Sequence, residues 1–484
     1  MSLTNKIKSG GFWNLLETIG MILCKFGYIS IMARLLTKAD FGLMALATSI
    51  ISFGAIITEG GMGAALIQRQ NITNRHKNAA LLGNFLTGVF FFFLAYFFSN
   101  AVASFFDQPE LNSIIKVIAL NFILLSVSSV SLNLLYKSLN FKHSSMLTLL
   151  ATIIGYSFGV LLAFNGYGVW SLIYATLLMS AIKTVIYFYY APIKFQLGWY
   201  IKEWKELFAF GSGMILLKFS NYLGNGGINL ALGKIFAPSL LGVFERSFQI
   251  KTLPSKYLGD ILDKVMFPVM SEIQDKEERL FKVYYFGLGF SNSVLMPVAL
   301  YLIYFSEAIV LILLGEEWME AVVPLQIMFA VLPFSISSRM ADSVVRAKGY
   351  IYKNVMRKYI YVTVLLTSTL ILGYYYGIVG AAIGITVSYL FNYTLMIVLV
   401  KKIFDRSIKD IFYRPLKEAL VLFFYLILLL LGNYFLTNFI IKVSILINFT
   451  ITSFILTGVI VFVLIKKPIY FGEFINSVIK VYQK

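Results

Sequence analysis

Apolar runs alternate with short polar breaks along almost the whole chain, from residue 12 to residue 465. Each run is near the ~20 residues a helix needs to cross a hydrocarbon core. Two of them, LLGNFLTGVFFFFLAYFFSNAVASFF from Leu81 and ALVLFFYLILLLLGNYFLTNFII from Ala419, contain no charged residue. The breaks place spans at 12–34, 41–66, 79–105, 112–136, 144–164, 168–190, 208–233, 239–268, 283–313, 320–346, 354–376, 378–401, 416–438 and 444–465. The pattern predicts an all-α polytopic membrane protein with about fourteen transmembrane helices.

Composition agrees: 59% of the 484 residues are hydrophobic and 13% charged, against roughly 25% charged in a soluble domain. The net charge of +18 is unevenly placed. One set of alternate loops holds Arg69, Arg75, Lys77, Lys137, Lys142, Lys194, Lys202 and Lys205. The same set continues with Lys276, Arg279, Lys282, Lys348, Lys353, Arg357 and Lys358, then Lys401 to Lys417. The opposite set offers little beyond Lys38, Lys116 and Lys442. By the positive-inside rule both termini are cytoplasmic. The excess charge is therefore topology, and no nucleic-acid partner is expected. The opening segment is read as a retained first helix rather than a cleaved leader. Cys24 is the only cysteine, and His76 and His143 lie in polar loops without companion ligands. Neither a disulfide, a metal site nor a cofactor is expected.

The chain also repeats itself. ARLLTKADFGLMALATSI from Ala33 lines up with GKIFAPSLLGVFERSFQI from Gly233, pairing Gly42 with Gly242. Further on, YKSLNF from Tyr136 lines up with VRAKGY from Val345. A six-helix duplication predicts an N-terminal lobe at 1–196, a second lobe of parallel topology at 197–404, and a linker with two added helices at 405–484.

Charge inside a span is expensive and marks a partner or a watery cavity. Glu17 and Lys25 lie in the first span, and Glu59 in TEGGMG of the second. In GMILLKFSNYLGNGGINL, Lys218, Asn221, Asn225 and Asn229 follow at helical steps, while Gly224, Gly226 and Gly227 weaken the helix. Glu245 and Arg246 precede Pro254, a natural kink. Arg339, Asp342 and Arg346 fall within about 60° of one another on a helix, so they share one face. Two readings stand side by side. These groups line a cationic cleft between the lobes that attracts an anionic head group, or they form structural ion pairs, such as Glu17 with Lys25.

ARLLTKADFGLMALATSIISFGAIITEGGMGAALIQRQ, from Ala33, resembles the first-to-second-helix signature of Wzx-type bacterial polysaccharide-export flippases, in the branch of the colanic acid and teichuronic acid exporters. That family lies in the multidrug/oligosaccharidyl-lipid/polysaccharide superfamily. The chain has Lys38 where the family usually has proline, which the repeat keeps as Pro238. The resemblance implies a monomer of two lobes in the bacterial inner membrane, working by alternating access. It implies translocation of an undecaprenyl-pyrophosphate-linked oligosaccharide to the outer leaflet, for O-antigen, capsule, exopolysaccharide or teichuronic acid, alongside a polymerase machinery. It points to Lys25 as a basic contact, with Lys218, Asn221, Asn225, Arg246, Arg339 and Asp342 as lumen candidates. Glu17, Glu59 and Glu245 become the candidates for ion coupling. A sodium site like that of lipid II flippases is not expected, because the eleventh and twelfth spans offer Thr367, Thr386 and Asn392 but no acid.

Two rivals remain. A multidrug antiporter of the same superfamily wants an acidic lumen for cationic drugs. A glycosyltransferase or ligase needs a catalytic acid or base in a sizeable outward loop. Here FDQPELN, FNGYG, GKIFAPS, GEEWME and YYYGIVG are short, so no catalytic residue is assigned.

Overall fold

The computed structural model describes residues 3–407 apart from 60, 139–140, 197 and 199, together with 427, 430, 431 and 434. Those four positions apart, the spans expected at 416–438 and 444–465 lie outside the described residues, as does most of the charged linker before them. The described chain is helical, with no strand. It forms two compact units, Met1–Glu245 with Leu313–Gly315, and Arg246–Ile312 with Glu316–Lys484.

The first unit contains α1 (Leu3–Leu35), α2 (Lys38–Thr58), α3 (Met62–Gln68), α4 (Asn74–Phe105), α5 (Glu110–Ile118) and α6 (Leu120–Lys137). It continues with α7 (Phe141–Phe164), α8 (Val169–Tyr190), α9 (Ile201–Leu223), α10 (Gly226–Gly233) and the start of α11 (Pro238–Glu272). A capping box starts α2: the Asp40 N–H donates to Thr37 Oγ1 at 3.2 Å and the Thr37 N–H to Asp40 Oδ2 at 2.9 Å. Such a box satisfies two donors that a helix start leaves open, worth about 1 kcal/mol. The expected span 41–66 is broken between α2 and α3, where Gly61 has φ +60°. A Cβ there would overlap the carbonyl of Gly211, so Gly61 is a turn residue in close contact with α9.

Exposure in this unit is inverted relative to a soluble protein. Phe90, Phe93 and Phe97 of α4 point outward, Phe97 with 73% of its surface open, while Asn78, Asn84 and Ser126 are fully buried. Asn84 Nδ2 donates to Ser129 Oγ at 3.1 Å, joining α4 to α6. Outward rings with inward amides suit helices whose solvent is lipid, where polar groups serve as interhelical contacts.

The duplicated segments touch each other reciprocally. A Cβ on Gly42 would overlap the carbonyl of Pro238, and a Cβ on Gly242 would overlap the carbonyl of Lys38. Residues 38 and 238, and 42 and 242, stand at the same offset of two hundred. Helix starts this close leave no room for a side chain, so glycine is required at both.

The second unit holds the remainder of α11, then α12 (Glu277–Tyr304), α13 (Ser306–Leu313), a 3₁₀ turn (Glu316–Ala321), α14 (Val322–Phe329), α15 (Leu332–Ala347) and α16 (Ile351–Phe404). The helix α11 runs on through Pro254 and Pro268. Two expected spans are bent, α12–α13 by 69° and Glu316–Phe329 with α15 by 44°. Conversely, α16 contains two expected spans. At Tyr376 and Gly377 the backbone leaves the helix, with Gly377 at φ +62°, which divides 354–376 from 378–401. Seven helices among the described residues are long and apolar enough to cross a membrane, or nine if each bent pair is one span. Met266, Val269, Met270 and Tyr284 pack against Met340, Val344 and Val345, fixing one face of α15 against α11 and α12.

Candidate functional site

That packing decides where the rest of α15 goes. With Met340, Ala341, Val344 and Val345 buried, Arg339, Asp342 and Arg346 share the remaining half-exposed face. α11 answers with Asp260 and Asp263, three residues apart and so also on one face. Arg339 Nη1 donates to Asp260 Oδ1 at 3.0 Å and lies 3.6 Å from Asp263 Oδ2. Arg346 Nη2 donates to Asp263 Oδ1 at 2.9 Å, and its Nε lies 2.7 Å from Asp342 Oδ2. The Ser343 hydroxyl donates to Asp263 at 3.1 Å. One carboxylate, Asp263, thus bridges two guanidiniums.

The first turns of α16 close the other side. Asn354 Nδ2 donates to Asp342 Oδ1 at 2.7 Å, and Arg357 Nη2 lies 3.8 Å from the same oxygen. Arg357 also bonds Asn392 in the far half of α16 and, through Nε, Asn354 at 3.1 Å. Its side chain is 9% exposed, against 36% for Arg339 and 35% for Arg346. Arg357 is therefore an anchor, and the other two arginines are reachable. Lys358 lies within electrostatic reach of Asp342 and of all three arginines. The stripe that reads as cationic in sequence is a near-balanced network, because α11 brings two acids to it.

Deeper in the same unit lies Lys251, fully buried, with its Nζ 3.6 Å from the ring centroid of Tyr389. A buried ammonium held over an aromatic face is a cation–π contact. Ser255 and Ser335 meet at 3.2 Å, and Ser337 donates to Asn292 at 2.9 Å. These polar rungs tie α15 to α11 and α12.

In the first unit the structure brings two of the sequence candidates together: Lys218 Nζ donates to Glu59 Oε2 at 2.7 Å, with both side chains more than a third exposed. Asn221, Asn225 and Asn229 do not form one continuous polar face, because the helix breaks at Gly224 and Asn225. Asn225 Nδ2 donates to the Asn221 carbonyl at 2.9 Å, satisfying an acceptor that the helix end leaves open. Lys25 and Glu17 are half-buried on α1, and the Glu17 carboxylate is within electrostatic reach of Lys183 on α8. Glu245 and Arg246 are half-buried neighbours on α11, pointing in different directions as adjacent helical residues do.

A third cluster stands outside the expected spans. Glu206 Oε2 lies 2.6 Å from Arg69 Nη1 and 3.3 Å from His76 Nε2, while His76 Nδ1 contacts the Thr73 hydroxyl at 2.7 Å. The hydrogen bond from His76, followed by the pull of Arg69, holds the Glu206 carboxyl below its ordinary value of 4.5.

Sequence reasoning misses Asp260, Asp263 and Lys251, which disappear inside the expected span 239–268, and treats Arg357 as a loop charge. A signal for the acids exists: YLGDILDKVMF carries two acids at a spacing of three, the helical complement of a stripe containing two arginines.

A profile of polysaccharide biosynthesis proteins matches residues 31–323. The teichuronic acid biosynthesis protein TuaB of Bacillus subtilis is 23% identical over 356 residues, covering 72% of this chain and 72% of its own. The lipopolysaccharide biosynthesis protein WzxC of Escherichia coli is 23% identical over 429 residues, covering 88% of this chain and 86% of its own. Among solved structures, the lipid II flippase MurJ in an inward closed conformation superimposes with a TM-score of 0.71 at 13% identity, over 94% of this chain and 99% of that one. The likeness to MurJ is one of fold.

Proposed function

The chain belongs to the polysaccharide biosynthesis protein family, and we propose that it is a flippase for lipid-linked oligosaccharides on their way to a surface polysaccharide. The observation that carries this reading is the similarity to TuaB and WzxC, named for teichuronic acid and lipopolysaccharide biosynthesis, over most of the chain. The duplicated lobes, 1–196 and 197–404, work by alternating access in the bacterial inner membrane, with both termini cytoplasmic. The substrate carries its oligosaccharide on undecaprenyl pyrophosphate. Sugar hydroxyls and a diphosphate cannot enter hydrocarbon unaided, because no hydrogen-bond partners wait there. The protein supplies those partners while the polyprenyl tail stays in lipid.

Arg339 and Arg346 take the diphosphate, since guanidinium matches phosphoryl oxygens two at a time. Asp342 orients Arg346. Lys25, Lys218, Asn221, Asn225 and Arg246 meet other polar parts of the cargo, and Glu17, Glu59 and Glu245 are the groups that would carry a coupling proton. Nothing in this cycle makes or breaks a covalent bond, so the protein is a transporter and not an enzyme.

The test is removal of the gene from its host, followed by assay of surface polymer and of the lipid-linked repeat in each leaflet. Loss of polymer with the repeat trapped on the cytoplasmic leaflet is expected. Repeat accumulating on the outer leaflet would replace the flippase by a polymerase or ligase. A second reading is favoured by Asp260, Asp263 and Asp342, which nearly balance the arginines: export of cationic drugs. Vesicles containing the purified protein distinguish the two, because that reading requires movement of a cationic dye and not of the lipid-linked sugar.

A further inference from the structure

The arginine network has a geometry that ordinary ion pairing does not require. Arg339 and Arg346 leave α15 about 10 Å apart, two turns of helix, yet both reach the one carboxylate of Asp263. The Arg346 guanidinium lies over the Phe267 ring, 4.8 Å from its centroid. The Arg339 guanidinium lies against Gly259, where a Cβ would overlap it. A ring on one side and a bare glycine on the other therefore seat two planar forks converging on a single anion. Two convergent forks suit a pair of linked phosphoryl groups.

The anions that occupy the forks are the chain's own. Asp260 is 48% exposed and Asp263 33%, and ion pairs this open to solvent are worth about 1 kcal/mol or less. Exchanging them for a multiply charged ligand costs little. Arg357 differs: it is buried and tied to Asn354 and Asn392, so it does not exchange.

We propose that Asp260 and Asp263 are resident stand-ins for a diphosphate, holding Arg339 and Arg346 in the empty protein and giving them up when the ligand's phosphoryl oxygens arrive. This deepens the flippase reading and rests on it for the identity of the cargo. The acids then have two effects. They set the affinity low enough for release, since their return competes the diphosphate away. They also favour a diphosphate over a single phosphate, because one ligand must replace two carboxylates.

The probe is inorganic pyrophosphate, titrated by calorimetry into the full-length protein in detergent. Asp260→Asn with Asp263→Asn keeps shape and removes competing charge, and should tighten pyrophosphate binding about tenfold, the scale of one or two exposed ion pairs. Orthophosphate affinity should rise at least as much, narrowing the preference for the diphosphate. Asp260→Asn alone, at the more exposed position, should tighten pyrophosphate about threefold and serves if the double variant fails to fold. Gly259→Ala leaves every charge in place but crowds Arg339, and should weaken pyrophosphate binding severalfold. Unchanged or weaker pyrophosphate binding in the asparagine variants would overturn the proposal and leave the acids as structural partners. Lipid-linked sugar movement in vesicles is read separately. Tighter pyrophosphate binding without any flipping by the unaltered protein would sink the flippase reading while sparing the site. Flipping without tightening would do the reverse.

Discussion

The Lys218 pair of the first unit and the arginine network of the second neutralise charge in different ways. The first sets Lys218 against Glu59, one cation for one anion, on helices α9 and α2. The second sets Arg339, Arg346 and Arg357 against Asp260, Asp263 and Asp342, with three helices contributing and two carboxylates shared. In an isolated pair, removing one member strands the other. In a shared network a neighbour is already within reach, so single losses are buffered and only multiple ones are severe.

The sharpest way to break this contrast is Arg339→Ala with Arg346→Ala. It removes both reachable forks, and export of surface polysaccharide in the host should fall by about a hundredfold or more, as expected when two charge-assisted contacts of about 1.5–3 kcal/mol each are lost. Each single variant should retain more activity than a simple product of effects allows. If the single losses multiply to the double, the arginines act independently and the network is no network.

Next in size is Lys218→Ala, expected to lower export about tenfold and to leave Glu59 without this partner. Adding Glu59→Gln should restore thermal stability in detergent without restoring export. Recovery of both would make the pair structural only.

The reciprocal glycines test the comparison at the level of backbone. Gly42→Leu and Gly242→Leu each force a side chain into a carbonyl of the opposite repeat and should each destabilise the protein by about 1–3 kcal/mol. The two penalties should match, because the contacts are equivalent. A large inequality in thermal unfolding would show that the repeat is no longer symmetric there.

The smallest effect concerns pH. Glu206 binds its proton less readily when folded than its ordinary value of 4.5 implies, so folding is favoured where the carboxyl is ionised. That stabilisation is fully present above pH 4.5 and is lost as the pH falls through the lower, folded-state value. Glu206→Gln should flatten the acid limb of the unfolding curve and leave neutral pH nearly unchanged. An unaltered acid limb would assign the limb to other carboxylates.

Much of the architecture is legible from hydrophobic pattern alone. The boundary between 354–376 and 378–401 coincides with the Gly377 break, and the weak point around Gly224 is where α9 gives way to α10. Glycine and apolar run length act locally, so they can be read in one dimension.

The candidate site divides in the same manner. That Arg339, Asp342 and Arg346 share a face follows from helical period and needs no structure. That Lys218 meets Glu59 at a separation of 159 residues, and that Asp260 and Asp263 arrive opposite the arginines, depends on which helices pack together. The sequence by itself determined an all-helical membrane chain, its weak points at Gly224 and Gly377 and the one-sidedness of its charges, because these are consequences of bonded geometry and transfer energy. Only the tertiary structure decided whether the charges are free or answered. Coulomb energy falls with distance through space and is indifferent to distance along the chain.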